Sequence, residues 1–239
     1  MANDLTVGGT DLFVDTSAEK LGIGTATANQ LHQKLNIYSS SEAGIQFMND
    51  ATGVANSTDG ARVSVYEDDI QYTNYESAGK QIFNVGTNGA TTAMTIDSSG
   101  YVTKPQQPAF IVTNATGASA FSGNSIATWN NQVHNNGGHF KMDAGTGQYQ
   151  RFIAPVAAYY FFSVQMISNV NTNMFFNLRK NGSNILGTST ESYMSSGHAS
   201  ASSHATVYLS ASDYVEVYMT ASTASYGGNY ANFNGFLIG

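Results

Sequence analysis

Short stretches in which apolar and polar residues alternate recur along the whole chain, and this period of two predicts β-strands throughout. The longest is Ala157–Ile167, where every second residue from Tyr160 to Met166 is apolar. Successive side chains of a strand point to opposite faces, so this set shares one face and belongs in a core. Glycine, asparagine and aspartate separate the stretches, and the only helical candidate is one short turn at residues 27–34. The pattern therefore predicts an all-β fold.

The other face of the same stretch is half aromatic. It presents Tyr159 and Phe161 and then Ser163 and Gln165. An antiparallel strand normally shows water to one of its faces, so aromatic residues on both faces indicate a partner surface. We expect Tyr159 and Phe161, together with Trp129, to lie at a trimer interface. The alternative is that a loop of the same chain covers the two strand residues.

A repeated motif organises the N-terminal half. Leu12–Ser17 and Met94–Ser99 both have an apolar strand end, an aspartate and then hydroxyl residues, and each precedes a second apolar stretch. Aspartate and serine side chains can bond their own backbone and nucleate a turn, so each copy predicts a small β-hairpin. In the C-terminal half, Asn181-Gly182 between two alternating stretches predicts a tight hairpin.

We place a domain boundary at Lys104–Pro108, because two prolines flank Gln106-Gln107 and disfavour helix before them. The division gives residues 1–104 and residues 105–239; the alternative is a loop inside one domain. Large apolar residues are sparse before the boundary, so a single chain would bury little there. We therefore expect residues 1–104 to form an intertwined trimeric β shaft.

Two resemblances support this division. The segments Asp11–Gly24 and Ala93–Gly100 resemble repeats of phage tail-fibre shafts, which also occur in bacterial adhesins. From Trp129 through Phe140, and again at Phe152-Ile-Ala-Pro155 and Phe233–Ile238, the C-terminal half resembles the globular head of complement component 1q. That family shares a trimeric antiparallel jelly roll with the tumour-necrosis-factor ligands. The resemblance implies a head that trimerises and binds rather than one that catalyses.

The composition limits the classes of molecule that the protein is expected to bind. Charged residues make up only 10% of the chain, against roughly 25% in an average soluble protein. The net charge of −7 argues against nucleic acid or an anionic membrane as a partner, and no apolar run is long enough to insert into a membrane. The absence of cysteine excludes disulfides. The chain is poor in charged residues and rich in hydroxyl and amide residues, which is typical of extracellular fibres, yet its N-terminus does not have the pattern of a signal peptide. This combination fits a virion protein that is made in the host cytoplasm.

The candidate chemistry is that of binding. The carboxylates of residues 105–239 are few, and Asp213 and Glu216 are spaced to point to opposite faces of a strand. No histidine pair has metal-ligand spacing and no phosphate-binding loop is present, so we expect no enzyme, no cofactor and no metal. Two alternatives stay open. An active site could be assembled between chains, and one histidine from each of three chains could bind a metal ion on a three-fold axis.

Loops rich in tyrosine, serine, glycine and asparagine are the remaining candidates for a ligand-binding site. This composition is typical of adaptable binding loops, and the alternative is tyrosines that cap the sandwich. The candidate ligand-binding residues are Tyr193, His198, Tyr226, Asn229 and Tyr230.

The sequence thus predicts a homotrimeric bacteriophage tail fibre that recognises a host cell-surface glycan or protein and contacts other virion tail proteins through its N-terminus. The alternatives are a structural fibre or decoration protein of a capsid or baseplate, and a bacterial surface adhesin.

Overall fold

A computed structural model describes most of the chain, and its residues divide into two units, Met1–Thr103 and Lys104–Gly239. The sequence-based boundary at Lys104–Pro108 lies at this division. The described residues are 5–7, 12–15, 20–23, 35–37, 41–53, 58–114, 120–142, 149–168, 173–221, 223–224 and 230–238. Among them the regular elements are β-strands, apart from a 3₁₀ turn at Thr87–Gly89. The helical candidate at residues 27–34 lies outside the described residues.

The N-terminal unit contains three small sheets. One has four strands, in the order β1-β2-β3-β4, and the other two have three strands each, in the orders β5-β6-β7 and β10-β9-β8. All pairs are antiparallel except β3 with β4. The strands are β1 Leu5–Val7, β2 Leu12–Asp15, β3 Lys20–Ile23, β4 Leu35–Ile37, β5 Glu42–Phe47, β6 Ala61–Tyr66, β7 Asp69–Asn74, β8 Gln81–Val85, β9 Thr91–Ile96 and β10 Val102–Thr103.

Both predicted hairpins of this unit are confirmed. Strand β2 pairs with β3, and β9 pairs with β10. In the second hairpin the Asp97 carboxylate accepts hydrogen bonds from the backbone N–H groups of Ser99 and Tyr101, at 2.9 and 3.0 Å. Gly100 follows with a φ of 84°, a conformation that favours glycine. The aspartate therefore closes the turn in the manner that the motif predicted.

The C-terminal unit is a sandwich of two larger sheets. One has five strands, in the order β14-β11-β24-β17-β21. The other follows the path β15-β16-β22-β18-β19, with β13 on β22 and β20 on β18, and β12 pairs with β23. The strands are β11 Ala109–Thr113, β12 Ala120–Phe121, β13 Ser125–Ile126, β14 Asn131–Asn136, β15 Phe140–Lys141, β16 Arg151–Ile153, β17 Ala158–Ser168, β18 Met174–Lys180, β19 Ser183–Asn184, β20 Thr190–Ser192, β21 Ala199–Leu209, β22 Tyr214–Met219, β23 Thr223–Ala224 and β24 Asn232–Leu237.

A single apolar core lies between these two sheets. The inward residues of β17 that the alternation predicted, from Tyr160 to Met166, are fully buried. Phe162 packs against Phe152 of the opposite sheet with ring centroids 5.5 Å apart, and Phe233 approaches both sheets. Aromatic side chains dominate this core, so their burial supplies much of its stability.

The predicted hairpin at Asn181-Gly182 is also confirmed. Both residues have positive φ, 50° and 80°, which suits the tight turn between β18 and β19. The Asn181 side chain donates to the Asp213 carboxylate at 2.7 Å and accepts from the Tyr214 N–H at 2.9 Å. Lys180 adds a salt bridge to Asp213 at 2.9 Å. Two turns distant in sequence are thereby joined at one end of the sandwich.

Candidate functional site

The outer face of the five-stranded sheet carries an aromatic patch. It consists of Tyr159 and Phe161 on β17, Tyr208 on β21 and Phe236 on β24. Register places Tyr159 opposite Tyr208, and Phe161 opposite Phe236. The ring centroids of each pair are 5.4 Å apart. Aromatic residues from three adjacent strands therefore form one continuous surface, which we call the aromatic patch.

This patch faces away from the core of its own chain. Tyr159 is 55% exposed, and Tyr208 and Phe236 are about as exposed. Phe161 is half-buried, and its ring contact is with Phe236 of the neighbouring strand. Within the described residues, the expected alternative of a covering loop therefore does not account for Tyr159. Adjoining aromatic side chains at such exposure mark surfaces that bind a partner.

The same face becomes polar further along β17. Ser163 lies opposite His204 on one side and Asn234 on the other, and Gln165 lies opposite Ser202 and Asn232. The Asn234 side-chain amide donates to the Asn232 side-chain oxygen at 3.2 Å. These residues offer hydrogen-bond donors and acceptors without a carboxylate or an ammonium group. The sheet face therefore runs from an apolar end to an uncharged polar end.

Trp129, the third expected interface residue, lies in the core. It is 2% exposed and packs between Phe121 and Phe233, at 5.7 and 6.0 Å between ring centroids. Buried Gln150 holds its backbone, accepting from the Trp129 N–H at 2.7 Å and donating to its carbonyl at 3.0 Å. The tryptophan is therefore removed from the interface set, since its own chain covers it. The polar residues Asn130–Gln132 follow it in the sequence, so no alternating apolar pattern indicated this burial.

The described loop candidates lie near the polar end of the sheet. Ser168, at the end of β17, pairs with Ala199, at the start of β21, and Asn232 begins β24 beside them. Tyr193 and His198 belong to the loop that enters β21, and Tyr230 lies two residues before the start of β24. All three are exposed. The topology thus brings two distant loops to the same end of one sheet.

The remaining two loop candidates, Tyr226 and Asn229, lie outside the described residues. Their segment joins β23 to Tyr230.

The opposite sheet carries a charge cluster that the sequence did not reveal. Glu216 lies in register with Arg151 on one side and Arg179 on the other, and its carboxylate meets Arg151 at 2.9 Å. Burial raises the pKa of the Glu216 carboxyl, while the charges of Arg151 and Arg179 act to lower it. The two guanidinium groups also lie over the rings of Tyr214 and Tyr218, at 4.0 and 3.2 Å. The arginines therefore occupy the faces of these tyrosines.

The described residues include no cluster of three or more His, Cys, Asp or Glu side chains placed to hold a metal ion. The described helical structure includes no segment long and apolar enough to cross a membrane.

Comparison with known proteins identifies one domain. Residues 109–238 match the family model of the C1q domain. No functionally curated protein matches the chain.

Among the solved structures similar to this chain are proteins from zebrafish, mouse and S. frugiperda. The globular domain of zebrafish complement 1qA is 22% identical, covers 55% of this chain and 98% of its own, and has a TM-score of 0.45. Murine APRIL is 14% identical over 55% and 98%, with a TM-score of 0.40. The Eiger TNF of S. frugiperda is 14% identical over 56% and 94%, with a TM-score of 0.39.

Proposed function

The chain belongs to the C1q domain family through residues 109–238, and from this premise we propose that it is a homotrimeric tail fibre of a bacteriophage. In this proposal the C-terminal unit binds a glycan on the host cell without cleaving it. The N-terminal unit forms the shaft and contacts other virion tail proteins. The protein is made in the host cytoplasm and acts on the virion.

The observation that carries the proposal is the aromatic patch on the five-stranded sheet. Four aromatic side chains on three adjacent strands, paired at 5.4 Å between ring centroids, face outward from a sandwich that has its own buried core. Burying such a surface against another copy removes apolar area from water, which stabilises an assembly. Self-association of this domain through the patch accounts for aromatic residues on both faces of β17.

Binding is proposed for the other end of the same unit. Exposed Tyr193 and Tyr230 offer rings for stacking, and the nearby sheet face offers amides, hydroxyls and His204 for hydrogen bonds. Sugars suit such uncharged surfaces, because neither partner must strip water from a charge. Three such ends on one trimer gain avidity even when each site is weak.

The chemistry of the unit favours binding over cleavage. Glycoside hydrolysis uses two carboxyl groups that face one sugar. Glu216 is instead buried between two arginines on the opposite sheet, and Asp213 is bound to Asn181 and Lys180 in a turn. Among the described carboxylates of this unit, only Glu191 lies close to a proposed binding residue, two positions before Tyr193, and a single carboxylate does not make the pair that hydrolysis uses.

The test is binding of the purified full-length protein to host cells, competed by the host's surface polysaccharide. We expect Tyr193→Ala combined with Tyr230→Ala to weaken binding at least tenfold. Tyr101→Ala, which removes a more exposed ring (73%, against 58% for Tyr193 and 47% for Tyr230) from the N-terminal unit, is the control and should bind normally. The polysaccharide should keep its original length.

Three outcomes would contradict the proposal. Shortening of the polysaccharide would identify an enzyme. Protein that sits on virions, located by labelled antibody, but ignores host cells would favour a structural fibre or decoration protein. Absence from virions would favour an adhesin of the bacterial surface.

A further inference from the structure

The N-terminal unit contains a second apolar surface, formed by one face of the three-stranded sheet β5-β6-β7. We infer that this face packs against the same face of other copies of the chain, so that the shaft has its own subunit interface, separate from the aromatic patch. The inference rests on the proposed function in that the C-terminal units hold the copies together. The face, called here the shaft face, consists of Ile45, Phe47, Val63, Val65, Ile70 and Tyr72.

Strand register places these residues side by side. Ile45 lies opposite Val63, which lies opposite Tyr72. In the neighbouring row Val65 lies opposite Ile70. Residues that are directly opposite share one face of a sheet, so the apolar positions of all three strands coincide. Such agreement between three strands is the pattern of a sheet face built to be buried.

The reverse face of the same sheet is polar, and its central residue, Ser64, is already buried within the chain at 2% exposure. Gly44 lies opposite Ser64, which lies opposite Gln71. Arg62 forms a salt bridge with Glu42 at 3.0 Å across this side. A three-stranded antiparallel sheet with one polar and one apolar face normally packs its apolar face against another element.

Within the chain, however, the shaft face is open. Its members are all exposed, with Ile70 at 67% the most so. Together they leave on the order of 600 Å² accessible, which is at the upper end of the largest apolar patch on a typical monomer. The surface is also continuous with β8, because a groove of about 260 Å³ runs from Phe47, Val63 and Tyr72 to Ile82 and Phe83. Arg62 and Lys80 also line this groove.

A copy of the chain is the partner that this surface fits. The face itself bears no charged residue, so its partner must be apolar where they touch. Around it the N-terminal unit is strongly acidic, with twelve Asp and Glu against four Lys and Arg. The acidic turn Glu67-Asp68-Asp69 borders the face at the hairpin between β6 and β7. These charges discourage non-specific association.

Association between copies survives this charge for two reasons. The described acidic residues that border the sheet, Glu42 and Glu67–Asp69, lie on the reverse face or in the turn between β6 and β7, and salt screens their charges over roughly 8–10 Å. In addition, C-terminal units that hold three chains together raise the effective concentration of the shaft faces to the millimolar range, as for short flexible linkers. Shaft faces that associate too weakly in separate chains can then pack against one another around the axis of the trimer.

The experiment compares two adjacent positions in the full-length protein. The chain has no cysteine, so a single Val65→Cys or Tyr66→Cys introduces the only thiol. The two residues are almost equally exposed in the chain, 50% and 45%, but Val65 lies on the shaft face and Tyr66 on the reverse face. We expect the Val65→Cys thiol to be alkylated at least tenfold more slowly, and mild oxidation to join its chains into covalent dimers. Ile70→Cys is a second probe of the same face.

The outcomes separate this inference from the proposed function. Equal alkylation rates in a protein that remains trimeric would overturn the shaft interface and leave the fibre proposal intact. A protected Val65→Cys thiol in a monomeric protein would show that the chain covers its own face, and would also overturn the inference. A monomer with both thiols reactive would contradict the inference and the trimer together.

Discussion

Strand β6 of the N-terminal unit and strand β17 of the C-terminal unit both alternate apolar and polar residues, but their apolar faces have opposite environments. On β17, Phe162 and Val164 are fully buried between two sheets of the same chain. On β6, Val63 and Val65 are exposed, and the described residues of that unit contribute nothing to the main apolar core. Alternation thus determines which residues share a face, whereas the number of packed layers determines whether the face is covered.

The two units also differ in charge. Residues 1–103 carry four basic and twelve acidic residues, a net charge of −8, whereas residues 104–239 carry five basic and four acidic residues, a net charge of +1. The overall charge of −7 therefore resides in the unit that lacks a large core. Such repulsion disfavours compaction of an isolated chain, and it is concentrated in the unit whose large apolar side chains are mostly exposed.

The largest expected effect comes from a cavity in the C-terminal core. Phe162→Ala should lower the free energy of unfolding of that unit by about 3–5 kcal/mol, because it removes a fully buried ring. Phe83→Ala, which removes a 48% exposed ring from the N-terminal unit, is the control and should leave that transition in place. Urea unfolding followed by the fluorescence of Trp129 reports on the C-terminal unit, and equal shifts for both variants would contradict the comparison.

A second change separates folding from assembly. Phe161→Asp places a charge in the aromatic patch, where burial against another copy would strip its water. We expect the protein to sediment as a folded chain of 25.4 kDa rather than as a trimer. Ser163→Asp, two residues further along the same face, should impair assembly less because its neighbours His204 and Asn234 are polar. An unmodified protein that is already monomeric at micromolar concentration would refute the trimer.

The smallest effect concerns acid stability. Hydrogen bonds from Asn181, Lys180 and the Ser210 N–H lower the pKa of Asp213 to about 2, from an ordinary value of 3.8. A carboxyl group with a lowered pKa stabilises the folded state above its ordinary value, and this contribution disappears as the pH falls through about 2. Asp213→Asn should therefore lower the urea midpoint at pH 5 and flatten its decline between pH 4 and 2. Parallel declines for both proteins would contradict this role.

Much of the fold could be predicted because its signals are local. The β-hairpins at Asp97 and Asn181 follow from turn residues a few positions apart, and the buried face of β17 follows from its own alternation. The match of residues 109–238 to the C1q domain agrees with the resemblance seen in the sequence. For the candidate site, the sequence drew attention to Tyr159 and Phe161, and the structure adds Tyr208 and Phe236 beside them.

By itself, then, the sequence determined the strand faces, the turns and the absence of disulfides, since each depends on residues close together in the chain or on composition. Only the tertiary structure decided the burial of Trp129 and the pairing of Glu216 with Arg151, because these depend on which distant strands become neighbours. Register across β16 and β22 brings Arg151 to Glu216, and the packing of two sheets encloses the tryptophan. Local patterns do not contain that information, since a strand's period is the same whichever partner lies beside it.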